Sequence, residues 1–203
     1  MPDRFKTPLN KPEGITPEDY ARARNYVEAI KAIGQIAYES IYIIDYFKGN
    51  FLYVSPNPLL LCGLTPDEVM ELGYGFYTTH VPKDELKLLL KINAVGFQFF
   101  SKQPKEERHL FSISYDFHIV NKGESVLVSH KLTPLAMDKM DTCGLAYVMC
   151  PSRTTIAPEI FRFAKLGNPT TGVMNPTLIN GLKGKASNLR TEKKKSSCCL
   201  QED

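Results

Sequence analysis

Tryptophan is missing from the 203 residues, histidine occurs only four times, and no apolar run reaches the ~18 residues that a membrane-spanning helix requires. The opening stretch MPDRFKTPLN carries no apolar segment of the secretory kind, so the expected location is cytoplasmic, with no membrane contact. Cysteine is sparse and never spaced as Cys-x-x-Cys. Cys62, Cys143 and Cys150 stand singly among apolar residues, as small core hydrophobes do, and the adjacent pair Cys198 and Cys199 cannot supply half of a zinc site. Glycine forms neither G-x-G-x-x-G nor G-x-x-x-x-G-K-[ST], which excludes both common phosphate-cradling turns, and there is no G-x-S-x-G elbow to expose a nucleophilic serine.

What is present is a globular composition, 43% hydrophobic and 23% charged, on a chain long enough for one sizeable core. The net charge of +3 is unevenly distributed. Lys183, Lys185, Arg190, Lys193, Lys194 and Lys195 lie close together with Glu192 as the only acid among them. Such a cluster can neutralise a nucleic-acid backbone, but it lacks aromatics for base stacking and an apolar period for a recognition helix. The segment 168–203 is therefore read as an irregular basic tail, with these six residues as its nucleic-acid-binding candidates.

Residues 1–15 read as a flexible arm. Thr16 then caps a helix with Pro17 at its first position, and Tyr20, Ala23, Val27, Ile30, Gly34, Ala37 and Ile41 recur by threes and fours. A helix over 16–39 is predicted, its stripe buried against the domain or a second subunit. Tyr20, Ala23, Val27, Ile30 and Ala37 are the dimerisation candidates, and a homodimer is the expected assembly. SIYIIDYF and NFLYVS follow as two strands about a Lys48-Gly49-Asn50 turn. PNPLLLCG holds a helical turn or two. Thr65, Pro66 and Glu68 open a capped helix that Gly73 stops, and a longer helix runs from about Pro82 to Phe100.

Alternation marks the next strands. Phe111, Ile113, Tyr115, Phe117 and Ile119 interleave with Ser112, Ser114, Asp116 and His118. Beyond the Asn121–Glu124 turn, Val126, Val128, His130 and Leu132 share one face. GLAYVMC forms the last strand of the set, ended by Pro151. The fold class is α+β, with a mostly antiparallel sheet carrying helices on one face. Residues 40–152 form the main domain, and PEIFRFAKLG within 153–167 reads as a final helix.

The chemistry available to this layout is limited. Asp116, His118 and His130 are the residues an enzyme or a metal site would use, yet alternation places His118 and His130 on opposite faces, where they cannot share one ion. Asp45, the only charge in an apolar run, either meets a ligand or caps its own turn. The remaining candidate is the space between sheet and helices. Tyr42, Tyr53, Phe111, Ile113, Tyr115, Phe117, Val128 and His130 from the strands would face Asn93 and Phe97 from the long helix. Large aromatics with a few polar tips suit a small-molecule pocket, and equally a filled core.

The blocks SIYIIDYFKGNFLYVSPNPLLLCGLTPDEVMELGYGFYTTHVPKDE and FSISYDFHIVNKGESVLVSHKLTPLAMDKMDTCGLAYVMC resemble a PAS domain, more narrowly that of Bacteroidetes LuxR-type transcriptional regulators, over roughly residues 20–167. The resemblance implies a five-stranded antiparallel sheet flanked by short helices, serving as a noncatalytic sensory or interaction module that signals through a dimer. Family members continue into a helix-turn-helix with an LTxRExEVL-type opening, a pattern not found after residue 167. The resemblance names no cofactor. The flavin-type N-C-R-F-L setting is not that of Cys62, and the long helix has no haem-ligating histidine.

Overall fold

The computed structural model describes residues 14–34, 36, 39–138, 142–151 and 161–173, and for 168–173 the backbone only. Helix α1 (Pro17–Gly34) opens the fold, followed by strands β1 (Ser40–Asp45) and β2 (Asn50–Val54). Four helices come next: α2 (Pro58–Leu61), α3 (Pro66–Leu72), α4 (Gly75–His80) and α5 (Lys83–Lys102). A 3-10 turn at Lys105–Leu110 leads into β3 (Phe111–Asn121), β4 (Glu124–Met137) and β5 (Cys143–Cys150), and then β6 (Arg162–Lys165) and β7 (Asn168–Val173). All pairings are antiparallel, in the order β2-β1-β5-β4-β3-β6-β7. The first five strands are the α+β sheet that the PAS resemblance implies, and β6 and β7 extend it.

Local chemistry explains the element boundaries. Thr16 and Asp19 bond reciprocally at the start of α1, the Asp19 N–H donating to Thr16 Oγ1 at 3.2 Å and the Thr16 N–H to Asp19 Oδ2 at 3.0 Å. Thr65 and Glu68 do the same for α3, completing a capping box. The β3–β4 hairpin turns through Lys122 and Gly123, both at positive φ (48° and 87°), as a two-residue type I′ loop requires. Pro134, which has no N–H to give, sits in β4 where the pairing with β5 shifts register.

The sheet is covered on both faces. Helices α2–α5 and the inner side chains of β1–β6 build the main core. On the opposite face α1 lays Ala23, Val27 and Ile30 over Ile41, Ile43, Tyr53 and Leu145. That double cover is why every residue of β1 is buried, and it departs from the expectation of helices on one face only.

Three further expectations are corrected. Ile41, counted in the stripe of the first helix, belongs to β1, and the helix is described over Pro17–Gly34, with residues 35, 37 and 38 outside the described residues. The helix expected over 153–167 is not formed at Arg162–Lys165, which pairs as β6 with Phe111–Ser114 of β3 and buries Phe163. Residues Asn168–Val173, assigned to an irregular tail, form β7. Helix α4, a six-residue segment of sequence GFYTTH, was not anticipated at all.

Candidate functional site

The inner face of the sheet is built by side chains of β1, β2, β3 and β4, with period-two alternation plainest in β3. In β3 the odd-numbered residues from Phe111 to Ile119 are all buried, while the even-numbered ones between them are half exposed. Register then pairs Ile113 with Leu132, Tyr115 with His130, and Phe117 with Val128. From β1 and the turn after it come Tyr42, Ile44 and Tyr46, and from β2 Phe51. Tyr53 does not join them. Pairing shifts between Ile43 and Ile44, so Tyr53 lies opposite Ile43 on the α1 face, which removes it from the candidate pocket.

His130 is 1% exposed and stands within a cage of rings, with Tyr115, Phe117 and Tyr42 centroids 4.8, 5.4 and 5.4 Å away. Its Nε2 is bonded to the Tyr42 hydroxyl, which lies 3.0 Å from the Tyr77 hydroxyl. His130 Nδ1 has no partner among the described residues. A buried lone pair is tolerated better than a buried orphan N–H. The proton therefore sits on Nε2, giving a chain that runs from His130 Nε2–H to Tyr42 O–H and on to Tyr77. Burial pulls the His130 pKa down to about 3, so the ring is neutral at ordinary pH.

Beside this chain, α5 meets the sheet with little empty space. A void of about 20 Å³ is lined by Ile44, Tyr46, Tyr74, Tyr77, Leu89, Asn93, Tyr115 and Phe117, and a second of about 10 Å³ reaches Phe97 and Ile113. The larger has room for roughly one water molecule. Phe111, at the far end of β3, packs on Phe99 and lines neither. Val128 is fully buried in the same core. Tyr46, Tyr74 and Tyr77 supply much of the polar rim and were missed from sequence. The first continues the 42, 44, 46 alternation, and the other two are three apart at the start of the unanticipated α4, Tyr74 as its N-cap residue and Tyr77 within it.

The His/Asp constellation does not assemble. His130 is inside, whereas His118 faces the other way and its ring bonds Glu85, Nδ1 to Oε1 at 2.8 Å. Glu85 also accepts the His118 N–H at 2.6 Å, and His80 Nδ1 donates to the Val120 carbonyl at 3.0 Å. Both contacts satisfy outward backbone groups of β3 beyond the last residue paired with β6. Asp45 caps its turn through the Lys48 N–H (2.8 Å) and accepts the Tyr20 hydroxyl (2.7 Å). Among the described residues no cluster of three metal-ligating side chains occurs, and no helix is long and apolar enough to cross a membrane.

Of the dimerisation candidates, Ala23, Val27 and Ile30 are buried against the chain's own sheet, Tyr20 packs beside Leu145, and Ala37 lies outside the described residues. Large apolar side chains on the solvent side of α1 are instead Tyr26 (52% exposed) and Ile33 (51%), with Ile36 (77%) just beyond its end. Lys183, Lys185, Arg190, Lys193, Lys194 and Lys195 all lie outside the described residues.

No family model and no curated protein matches the chain. Among solved structures it is similar to the N-terminal domain of a diguanylate cyclase with PAS/PAC sensor from Marinobacter aquaeolei, at 12% identity and a TM-score of 0.41, covering 56% of this chain and 94% of that one. It is also similar to phage VqmA in complex with DPO (14% identity, TM-score 0.36, 65% of this chain and 55% of that one) and to VqmA bound to DPO (14%, 0.36, 64% and 59%). The chain thus spans little more than half the length of the VqmA chains it matches. None of these likenesses speaks to this chain's own ligand, partner or activity.

Proposed function

We propose that the chain is a noncatalytic PAS-type sensory or interaction module, of the kind found in LuxR-type transcriptional regulators, which signals when a small molecule or a partner changes how two copies pair. The observation that carries this reading is the convergence of four tyrosines and Asn93 on a small void between α5 and the sheet. Among the described residues that lining holds no His, Cys, Lys, Asp or Glu, and its four tyrosines are held protonated by burial. At its present size the void admits no organic ligand. Binding must therefore move α4 and α5 away from β3, and a ligand that favours the opened form shifts the population toward it. The displaced helices lead back through the sheet to α1 on its other face, whose exposed Tyr26, Ile33 and Ile36 offer a surface to a second copy.

Native mass spectrometry of the purified full chain tests the ligand. A small molecule that copurifies, leaves on denaturation and is lost in Asn93→Phe, which fills the void, is the expected result. A uniformly unliganded wild type, with no compound in a metabolite library raising its melting temperature, would remove the small-molecule half of the reading and leave protein interaction alone.

A further inference from the structure

At the β3–β4 hairpin the inner face of the sheet outruns its helical cover. Helix α2 is only 4 residues long, so Val126 stays 37% exposed although Ile119, its partner in register, is 1% exposed. A surface groove of about 490 Å³ opens there, walled by Pro58, Leu59, Cys62, Ile119 and Val126, with Asn57 and Asn121 completing it. Its volume falls in the range of ~300–1,000 Å³ usual for small-molecule sites. It shares no residue with the interior void.

The lining determines what can bind. Among the described residues no Lys, Arg, His, Asp or Glu contributes to it, and burial raises the Cys62 pKa to about 11, which keeps the thiol neutral. An ionic ligand would lose its hydration there and meet no counter-charge. No aromatic ring of the described residues lines the groove, so they offer no stacking to a flat aromatic ligand. The polar groups are two primary amides. Asn57 uses Oδ1 to accept the Leu59 N–H at 3.0 Å as the cap of α2, which leaves its Nδ2 donors unused among the described residues. The Asn121 amide rests against Gly63, its Oδ1 3.7 Å from where a Cβ would stand, and its own Nδ2 donors are likewise unused. Complementarity calls for a neutral aliphatic body with a hydrogen-bond acceptor at one end.

We propose that this groove binds a small uncharged molecule whose aliphatic part lies on Leu59, Ile119 and Val126 and whose carbonyl accepts from an Asn57 or Asn121 amide. N-hexylacetamide is the probe, with hexanoate and hexylammonium as charged counterparts of similar length, titrated into the full chain and read by methyl and amide NMR. Saturable shifts confined to the Leu59, Ile119 and Val126 methyls and the Asn57 and Asn121 side-chain amides are expected. The two ions should bind at least about tenfold more weakly, because neither regains its lost hydration. Val126→Glu, at an exposed position, should abolish binding with the rest of the spectrum unchanged, and Asn121→Ala should weaken it severalfold. The proposal fails if the shifts do not saturate, if the three probes bind alike, or if Val126→Glu leaves binding intact. It fails also if the same methyls shift with protein concentration alone, which would give the groove to a second copy. Shifts at Asn93 and Tyr115 instead would place the probe in the interior void and overturn it too.

Discussion

His130 makes the stability of this protein depend on pH in a way that can be isolated from every other group. The unfolded chain binds a proton at this imidazole near the ordinary value of ~6.5, whereas the folded chain, with the ring enclosed by Tyr42, Tyr115 and Phe117, does so only near about 3. Between those values the unfolded state holds more protons than the folded one, so stability falls as pH falls, beginning below the unfolded value and continuing down to the folded one. From pH 7.5 to pH 5.0 the loss from this one site is about 2 kcal/mol, since a group at ~6.5 is almost wholly protonated at pH 5 in the unfolded chain and almost wholly neutral in the folded one. The assay is urea denaturation of wild type and His130→Gln at both pH values. Gln does not titrate and can still bond the Tyr42 hydroxyl. Its absolute stability will differ because the ring is gone, but only the difference between the two pH values matters. Contributions of His80, His109, His118 and the carboxylates are common to both proteins and cancel. Wild type should lose about 2 kcal/mol more than His130→Gln on acidification, a sizeable share of a typical domain's stability. A difference below about 0.5 kcal/mol, or the reverse sign, would refute the placement of a neutral, water-excluded imidazole in the core. An NMR titration that showed the His130 ring protonating above pH 5 would refute it independently.

Two further substitutions probe the packing on the outer face. A Cβ at Gly144 would overlap Ile15 Cδ1 and lie 2.6 Å from Cγ1, so Gly144→Ala should cost about 1–3 kcal/mol in chemical denaturation, and most of that cost should vanish in an Ile15→Ala background. Equal cost in both backgrounds would show that Ile15 is not seated on β5. Ile33→Lys should convert a dimer of the full chain to monomer in sedimentation velocity while changing stability by no more than about 0.5 kcal/mol, as exposed positions do. A dimer that persists in Ile33→Lys, or a wild type monomeric throughout, would remove the outer stripe of α1 from the assembly.

Alternation, caps and turns were legible because each is a local rule obeyed locally. β3 has one face in the core and one half exposed, so its pattern from Phe111 to Ile119 prints directly in residue type. Thr65-Pro66 with Glu68, and Lys122-Gly123 between two strands, specify their own geometry within four residues. Helix α4 and strand β6 were not legible for the opposite reason. GFYTTH is rich in residues that favour strands, and PEIFRFAKLG offers Phe161 and Phe163 at a spacing of two inside a stretch that opens like a helix. Only the open edge of β3 at Phe111–Ser114 decides that the second segment is a strand.

The error at Tyr53 shows what was needed to place the site more fully. β1 is buried on both faces, so SIYIID contains no polar alternation from which to read which side chains meet α5. Its one charge nevertheless carries the phase. Asp45 can take the Tyr20 hydroxyl only if it lies on the α1 face, and Ile41 and Ile43 must then lie there with it. Tyr42, Ile44 and Tyr46 are left to the inner face, and a β2 partner directly opposite Ile43 must go with the outer set, as Tyr53 does. An acid in an apolar strand thus marks the sheet's orientation as well as its turn, and reading Asp45 that way would have brought Tyr46 into the candidate site, whereas Tyr53 leaves it only through the register shift between Ile43 and Ile44, without which it would lie opposite Tyr42 on the inner face.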